Sequence, residues 1–317
     1  MLRPIKLSQA SSFFKSSAIP LLGLLLGTIC LASGAIFIRL GETELSASVT
    51  IFNRFFFATP CWLLWELIKM IKLKSDEPSF ESQDQVSFWD YFLLVFSGCA
   101  FVLNLLLWAW SLELISVANA TVLGCFTTPF TSLGVWLLFG QRFDRRFLLG
   151  SLLAFGGVIA IGVGDFQLGS EHFWGDVLAL LSALCLSVYI LMLEPLEKKF
   201  SNSTLMVSNG LSGILLLLPL VWLRGDSIIP TTATGWVSAL GLGIVSQVLG
   251  LGLFSSSVKY FSSAFLALFL LLDPLFAAIM AWLFLAEPMN LSNSIAFGLV
   301  LAGIYWAKSS PFAYQNV

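Results

Sequence analysis

Along the chain, long apolar runs alternate with short polar breaks. A helix needs about 20 predominantly apolar residues to cross a hydrocarbon core. A scan at that length predicts ten spans, roughly 18–39, 48–69, 90–112, 117–140, 146–164, 173–194, 204–223, 234–255, 262–286 and 291–308. The second run is interrupted by Arg54 and the eighth is rich in Gly and Ser. The first follows Arg3, Lys6 and Lys15, as a signal peptide would. Its apolar stretch is longer than a signal h-region and has no convincing cleavage site, so it reads as a helix. The longest polar connection, KLKSDEPSFESQDQVS at 72–87, is expected to be a mobile loop. No connection is long enough to be a folded domain, so function belongs to the helices.

Composition agrees: 58% of the 317 residues are hydrophobic and 11% are charged. A soluble domain carries about a quarter charged residues, and no single soluble core would accommodate this chain. The net charge of −2, without a basic patch interleaved with aromatics, argues against a nucleic-acid partner. Cys30, Cys61, Cys99, Cys125 and Cys185 all fall in apolar runs without C-x-x-C spacing and read as small buried hydrophobes. The one histidine, His172, lies beside a loop acid. Neither a metal site, a cofactor site nor a histidine-based catalytic set is expected, and the chain does not read as an enzyme.

Basic residues near helix ends orient the spans. With the N-terminus in the cytoplasm, the inner side carries Arg3, Lys6, Lys15, Lys69, Lys72, Lys74, Arg142, Arg145, Arg146, Lys198, Lys199, Lys259 and Lys308. Arg39 and Arg224 are left outside, and Arg54 lies within a span. An even number of spans keeps Lys308 on the basic side. Both termini are therefore expected in the cytoplasm, with 1–17 and 309–317 as cytoplasmic segments.

The chain also repeats itself. SVANATVLGCFTTPFTSLGVWLLFGQRF at 116–143 resembles FSSAFLALFLLLDPLFAAIMAWLFLAEPM at 261–289, with a proline, a following Trp and a closing Leu-Phe in each. Each copy precedes a Gly-bearing span, so Pro129 and Pro274 mark one place in two halves of five spans, 18–164 and 173–308. Five is odd, so the second half would enter the membrane inverted, the pattern of secondary transporters with broken helices near the midplane.

Arg54 in the second span, GDVLALLSALCLSVYI at 175–190, LFLAEP at 283–288 and the Gly-rich tenth span carry a family resemblance. Over about 18–308 the chain resembles the drug/metabolite transporter superfamily, in its EamA-type branch of ten-helix carriers. Where that family usually has Gly-Glu after the fourth span, this chain has Gly140-Gln141. The resemblance implies transport of small organic metabolites, often export.

Candidate site residues are the polar ones at depth. Arg54 lies about 9 Å below the outer end of its span. It either snorkels to that interface or faces a central cavity to hold an anionic group, a partner acid or backbone carbonyls. Asp273 lies near the centre of the ninth span. It either hydrogen-bonds backbone freed by Pro274 or serves as a substrate ligand or proton site, and Thr128 holds the matching position in the first half. Asn104, Tyr189 and Gln247 are further polar candidates, on spans three, six and eight. Trp136 and Trp282, and glycines such as Gly23, Gly27, Gly150, Gly156 and Gly157, read as packing residues.

The expected function is a secondary transporter of small polar organic metabolites, working by alternating access in a bacterial cytoplasmic (inner) membrane. An organellar membrane is the alternative location. One buried cation and one buried anion make an amino acid or related zwitterion the first guess for substrate. A proton taken up by Asp273 would couple transport to the proton gradient. A facilitator or exchanger of nucleotides, sugars or organic cations is the alternative. A channel would show rings of charge or a filter loop, and none is visible.

Overall fold

A computed structural model describes residues 7–41, 44–73, 86–115, 117–162, 173–285 and 291–314. The expected loop through 74–85, His172 and the Ala286-Glu287-Pro288 end of LFLAEP lie outside the described residues. The described chain is helical: α1 (Leu7–Gly41), α2 (Ala47–Leu73), α3 (Phe88–Leu112), α4 (Val117–Gly124), α5 (Thr127–Phe139), α6 (Arg145–Gly162), α7 (Phe173–Glu197) and α8 (Asn202–Arg224) come first. Then follow α9 (Ala233–Leu240), a π-helix (Gly241–Leu251), α10 (Gly252–Ser256), α11 (Ser263–Phe269), a 3-10 turn (Leu270–Leu272), α12 (Asp273–Leu285) and α13 (Leu291–Lys308).

Seven described segments are long and apolar enough to cross a membrane. The expected second, fifth and tenth spans coincide with α2, α6 and α13, which fall outside that set. In α2 the reason is visible, because Asn53 and Arg54 sit together in the apolar run. α1 begins at Leu7, well before the expected start at 18, and only its Ile19–Gly41 part has spanning character.

Several helix starts follow from local chemistry. The hydroxyls of Ser201, Thr232 and Ser262 accept from the amides of Thr204, Gly235 and Phe265, satisfying donors that the first turn leaves free. The fourth and ninth expected spans are each interrupted: a turn at Cys125-Phe126 separates α4 from α5, and the 3-10 turn separates α11 from α12. Pro129 and Pro274 lie in the first turns of α5 and α12, where a missing N–H costs no helical hydrogen bond.

α2 packs on α8, α6 on α13, and α3 on α7, while α1 packs on α9, the π-helix and α10. α5 also meets α7, and α12 meets α1. The α6–α13 contact is backbone to backbone: a Cβ added at Gly150 would lie 2.6 Å from the Gly303 carbonyl oxygen and 2.6 Å from the Ala307 nitrogen. Small residues at this crossing let the helices touch without side chains between them. Contacts between helix ends define two faces. The upper face carries 44–46 and 225–235; the lower face carries Glu66, Asp90, Asp144, 197–204 and 257–263. Residues 309–314 join the lower face, where Ser262 donates to the Phe312 carbonyl (2.6 Å) and Ser310 to Asp144 (2.6 Å).

Candidate functional site

Helical spacing sets Ala47, Thr50, Ile51 and Arg54 on one stripe of α2. At the inner end of that stripe Arg54 is only 6% exposed, which rules out snorkelling. Its Nε donates to Gln247 Oε1 of the π-helix at 2.6 Å, both side chains being buried. Two polar residues 193 positions apart thus meet, one from each half. A π-helix shifts register by one residue relative to an α-helix, and such turns are frequent at functional sites.

Asp273 opens α12 and is half-buried. Its charge and that of Arg54 act on each other, although no nitrogen–oxygen pair between them comes within salt-bridge distance. Asp273 Oδ1 is enclosed and has no hydrogen-bond partner among the described residues, so that oxygen does not mend backbone freed by Pro274. Cys125, at the α4–α5 break, lies within reach of the same charge. Thr128 behaves differently from its counterpart: its hydroxyl donates across the halves to the Ala267 carbonyl of α11 (2.9 Å). Thr127 donates locally to the Gly124 carbonyl (2.8 Å). The two breaks are therefore tied to each other.

The remaining sequence candidates have other partners. Asn104 accepts from Ser182 at 3.0 Å, joining α3 to α7. Tyr189 is fully buried and accepts from Asn209 at 2.9 Å, joining α7 to α8. Pro129 is exposed and Pro274 half-buried. Trp136 and Trp282 both point outward.

On the upper face a cavity of about 380 Å³ opens between α1, α2 and α3. Ile38, Ser46, Thr50, Ile51, Trp108 and Glu113 are among its walls. Thr50 and Ile51 lie about one helical turn from Arg54 along α2, so the cavity wall ends about one turn short of the Arg54–Gln247 pair. Sequence reasoning missed Trp108 and Glu113. An aromatic and an acid at the end of an apolar run are the ordinary furniture of a membrane interface.

Polar ties bind the halves at both faces. Above, Glu44 accepts from the amides and hydroxyls of Thr231 and Thr232, the Thr231 hydroxyl at 2.7 Å. These donors hold the Glu44 carboxyl well below its ordinary value, at about 2, the Thr232 hydroxyl contributing most. Ser46 donates to Asp226 (2.6 Å) and Asn53 to the Ile228 carbonyl (3.0 Å). Below, Lys199 pairs with Asp90 (2.7 Å), and Glu66 accepts from Ser201, Ser203 and Thr204 at 2.7–2.9 Å. Leu193, Leu205, Met206, Phe254 and Val258 close the lower end, each at most 2% exposed.

A profile of the EamA-like transporter family matches residues 18–163 and again 173–308. An uncharacterized transporter of Archaeoglobus fulgidus is 27% identical over 281 residues, covering 86% of this chain and 92% of the relative. The uncharacterized transporter YetK of Bacillus subtilis is 28% identical over 200 residues, 59% of this chain and 60% of its own. A solved crystal structure superimposes with a TM-score of 0.73 at 15% identity, covering 90% of this chain and 96% of that one. With apolar helices of spanning length and this double match, the chain is an integral membrane protein that belongs to the EamA-like transporter family.

Proposed function

We propose that the chain is a secondary transporter of small polar organic metabolites, working by alternating access between two inverted five-helix halves that together cross the membrane ten times. Helix pairing supports the inverted halves. If α7, α8, α9–α10, α11–α12 and α13 are the counterparts of α1, α2, α3, α4–α5 and α6, the contact of α1 with the π-helix region mirrors that of α7 with α3. The contact of α5 with α7 then mirrors that of α12 with α1, and α2–α8 and α6–α13 pair with their own counterparts. The loop ties follow the same rule: Glu44 and Ser46 grip 226–232 above, and Lys199 and Ser201 grip Asp90 and Glu66 below.

The observation that carries the reading is the Arg54–Gln247 pair within electrostatic reach of Asp273, at the joint between the halves and beside both helix breaks. A carboxylate on the substrate would take the place of a weak internal partner at Arg54, an amine would be met by an acidic side chain along the path, and Asp273 is the place for a coupling proton. Amino acids or related zwitterions are the substrate class this fits, with export as the direction the family resemblance favours. The basic residues of the lower face support a reading in which that face is cytoplasmic and the membrane is a bacterial inner membrane.

Counterflow uptake by purified protein in liposomes, with labelled metabolites and with or without a pH gradient, tests this. Exchange of amino acids is expected, accelerated by the gradient if Asp273 carries a proton. No exchange of any metabolite class by folded protein would overturn the carrier reading, and Asp273→Asn with gradient dependence intact would remove the proton role.

A further inference from the structure

Counting back without a gap from Pro129 and Pro274 sets Glu113 opposite Val258, and reaches the helix starts Ser87 and Thr232 at the same step. The two residues have opposite surroundings. Val258 is 1% exposed among the packed side chains of the lower end. Glu113 lies exposed on the wall of the upper cavity and makes no hydrogen bond or ion pair through its carboxylate among the described residues. In a carrier built of inverted halves, the closed form of one end is the form the other end adopts when the molecule switches. Closing the upper end would therefore carry Glu113 into the kind of apolar site Val258 occupies now. An ionised carboxylate without a partner is strongly disfavoured there.

We propose that Glu113 is the subsite for a cationic group of the substrate, an ammonium, and that its neutralisation by that group lets the upper end close. The proposal rests on the carrier reading above. Trp108 lines the same cavity, where its aromatic ring would attract a cation, and Ile38 and Ile51 would receive an apolar body. No basic side chain is among the described residues lining the cavity. The charged groups nearby are otherwise engaged: Asp226 with Ser46, Glu44 with Thr231 and Thr232, and Arg224 over the Trp110 ring, while Arg39 ends α1. Glu113 is thus the group left to meet an incoming cation.

The test follows the two ends directly. A cysteine introduced by Ala47→Cys reports the upper cavity, and one by Leu205→Cys reports the packed lower end. Each is labelled by a maleimide in nanodiscs, and labelling of the protein without the added cysteine is subtracted. Glu113→Gln and Glu113→Val are expected to slow labelling at position 47 about five-fold or more and to speed it at position 205. Unchanged rates at both positions would overturn the proposal.

In the protein with Glu113 intact, a mixture of amino acids and a mixture of their decarboxylated amines should each slow labelling at position 47, and the deaminated acids should not. The Glu113 variants should lose this response. Slowing by the acids alone, by none of the mixtures, or by acidification without any response to amines would overturn the ammonium assignment. Failure of the carrier reading shows separately, as absence of counterflow with the position-47 response intact.

Discussion

The α1–α2–α3 cluster above and the α7–α8–α10 cluster below hold corresponding positions of the two halves and are packed in opposite ways. Above, Thr50, Ile51, Ala109 and Glu113 border a cavity of about 380 Å³. Below, Leu205 and Met206 stand as far from the start of α8 as Thr50 and Ile51 from the start of α2, Phe254 and Val258 match Ala109 and Glu113 by the count from the prolines, and all four are sealed from solvent. Side-chain volume accounts for much of the contrast, since Leu stands for Thr and Phe for Ala, while Val replaces the charged Glu with an apolar group of similar volume. Both ends keep polar ties between the halves, so hydrogen bonds do not decide which end is open. Apolar volume does: it fills the lower end and leaves the upper one a cavity. The Arg54–Gln247 pair sits between the two ends and belongs to both.

Removing that shared pair should have the largest effect. Arg54→Ala leaves Gln247 without its donor and Asp273 without a nearby cation. A hydrogen bond to a charged group is worth about 1.5–3 kcal/mol, and a bound carboxylate would lose a similar contact, so exchange should fall about 100-fold. Arg54→Lys keeps the charge but not the planar fork, and should recover part of the rate. Counterflow in liposomes measures both. Full activity in Arg54→Ala would move the binding site away from the joint.

The second prediction reverses the contrast itself. Phe254→Ala removes the largest of these lower side chains, a loss of about 3–5 kcal/mol of packing that falls on the form closed below. Labelling of Leu205→Cys should then rise at least ten-fold. The reciprocal Ala109→Phe fills the upper cavity and should slow labelling of Ala47→Cys. If neither substitution moves either reporter, volume does not set the contrast.

Part of this was legible in the sequence, because apolar runs have a length and prolines have a position. The breaks at Cys125-Phe126 and Leu270–Leu272 stand beside Pro129 and Pro274, the residues the repeat singles out. Arg54 and Gln247 each stand out as polar residues at depth, yet nothing in a linear string pairs residues 193 apart. The π-helix is silent in sequence, since an added residue per turn leaves an apolar run looking the same. Tyr189 drew attention by its hydroxyl, which the fold spends on Asn209. Glu113 drew none, because its meaning comes only from the contrast with Val258.

The smallest expected effect concerns the upper tie. Glu44 is held at about 2, below its ordinary 4.5, by the Thr232 and Thr231 donors. A group whose folded value is depressed stabilises the fold fully above its unfolded value and loses that contribution as pH falls toward the folded one. The tie should therefore be constant from pH 8 to 5 and fade only between about 4.5 and 2. Glu44→Gln should lower the thermal midpoint by on the order of 1 °C across the neutral range, because the site is at the surface. The gap to the wild type should narrow as the pH drops below 4.5. A gap that instead opened or closed between pH 5 and 8 would mean that the upper tie titrates in the working range. It would then join Glu113 in deciding when the upper end closes, and the two ends would differ in their hydrogen bonds as well as in their volume.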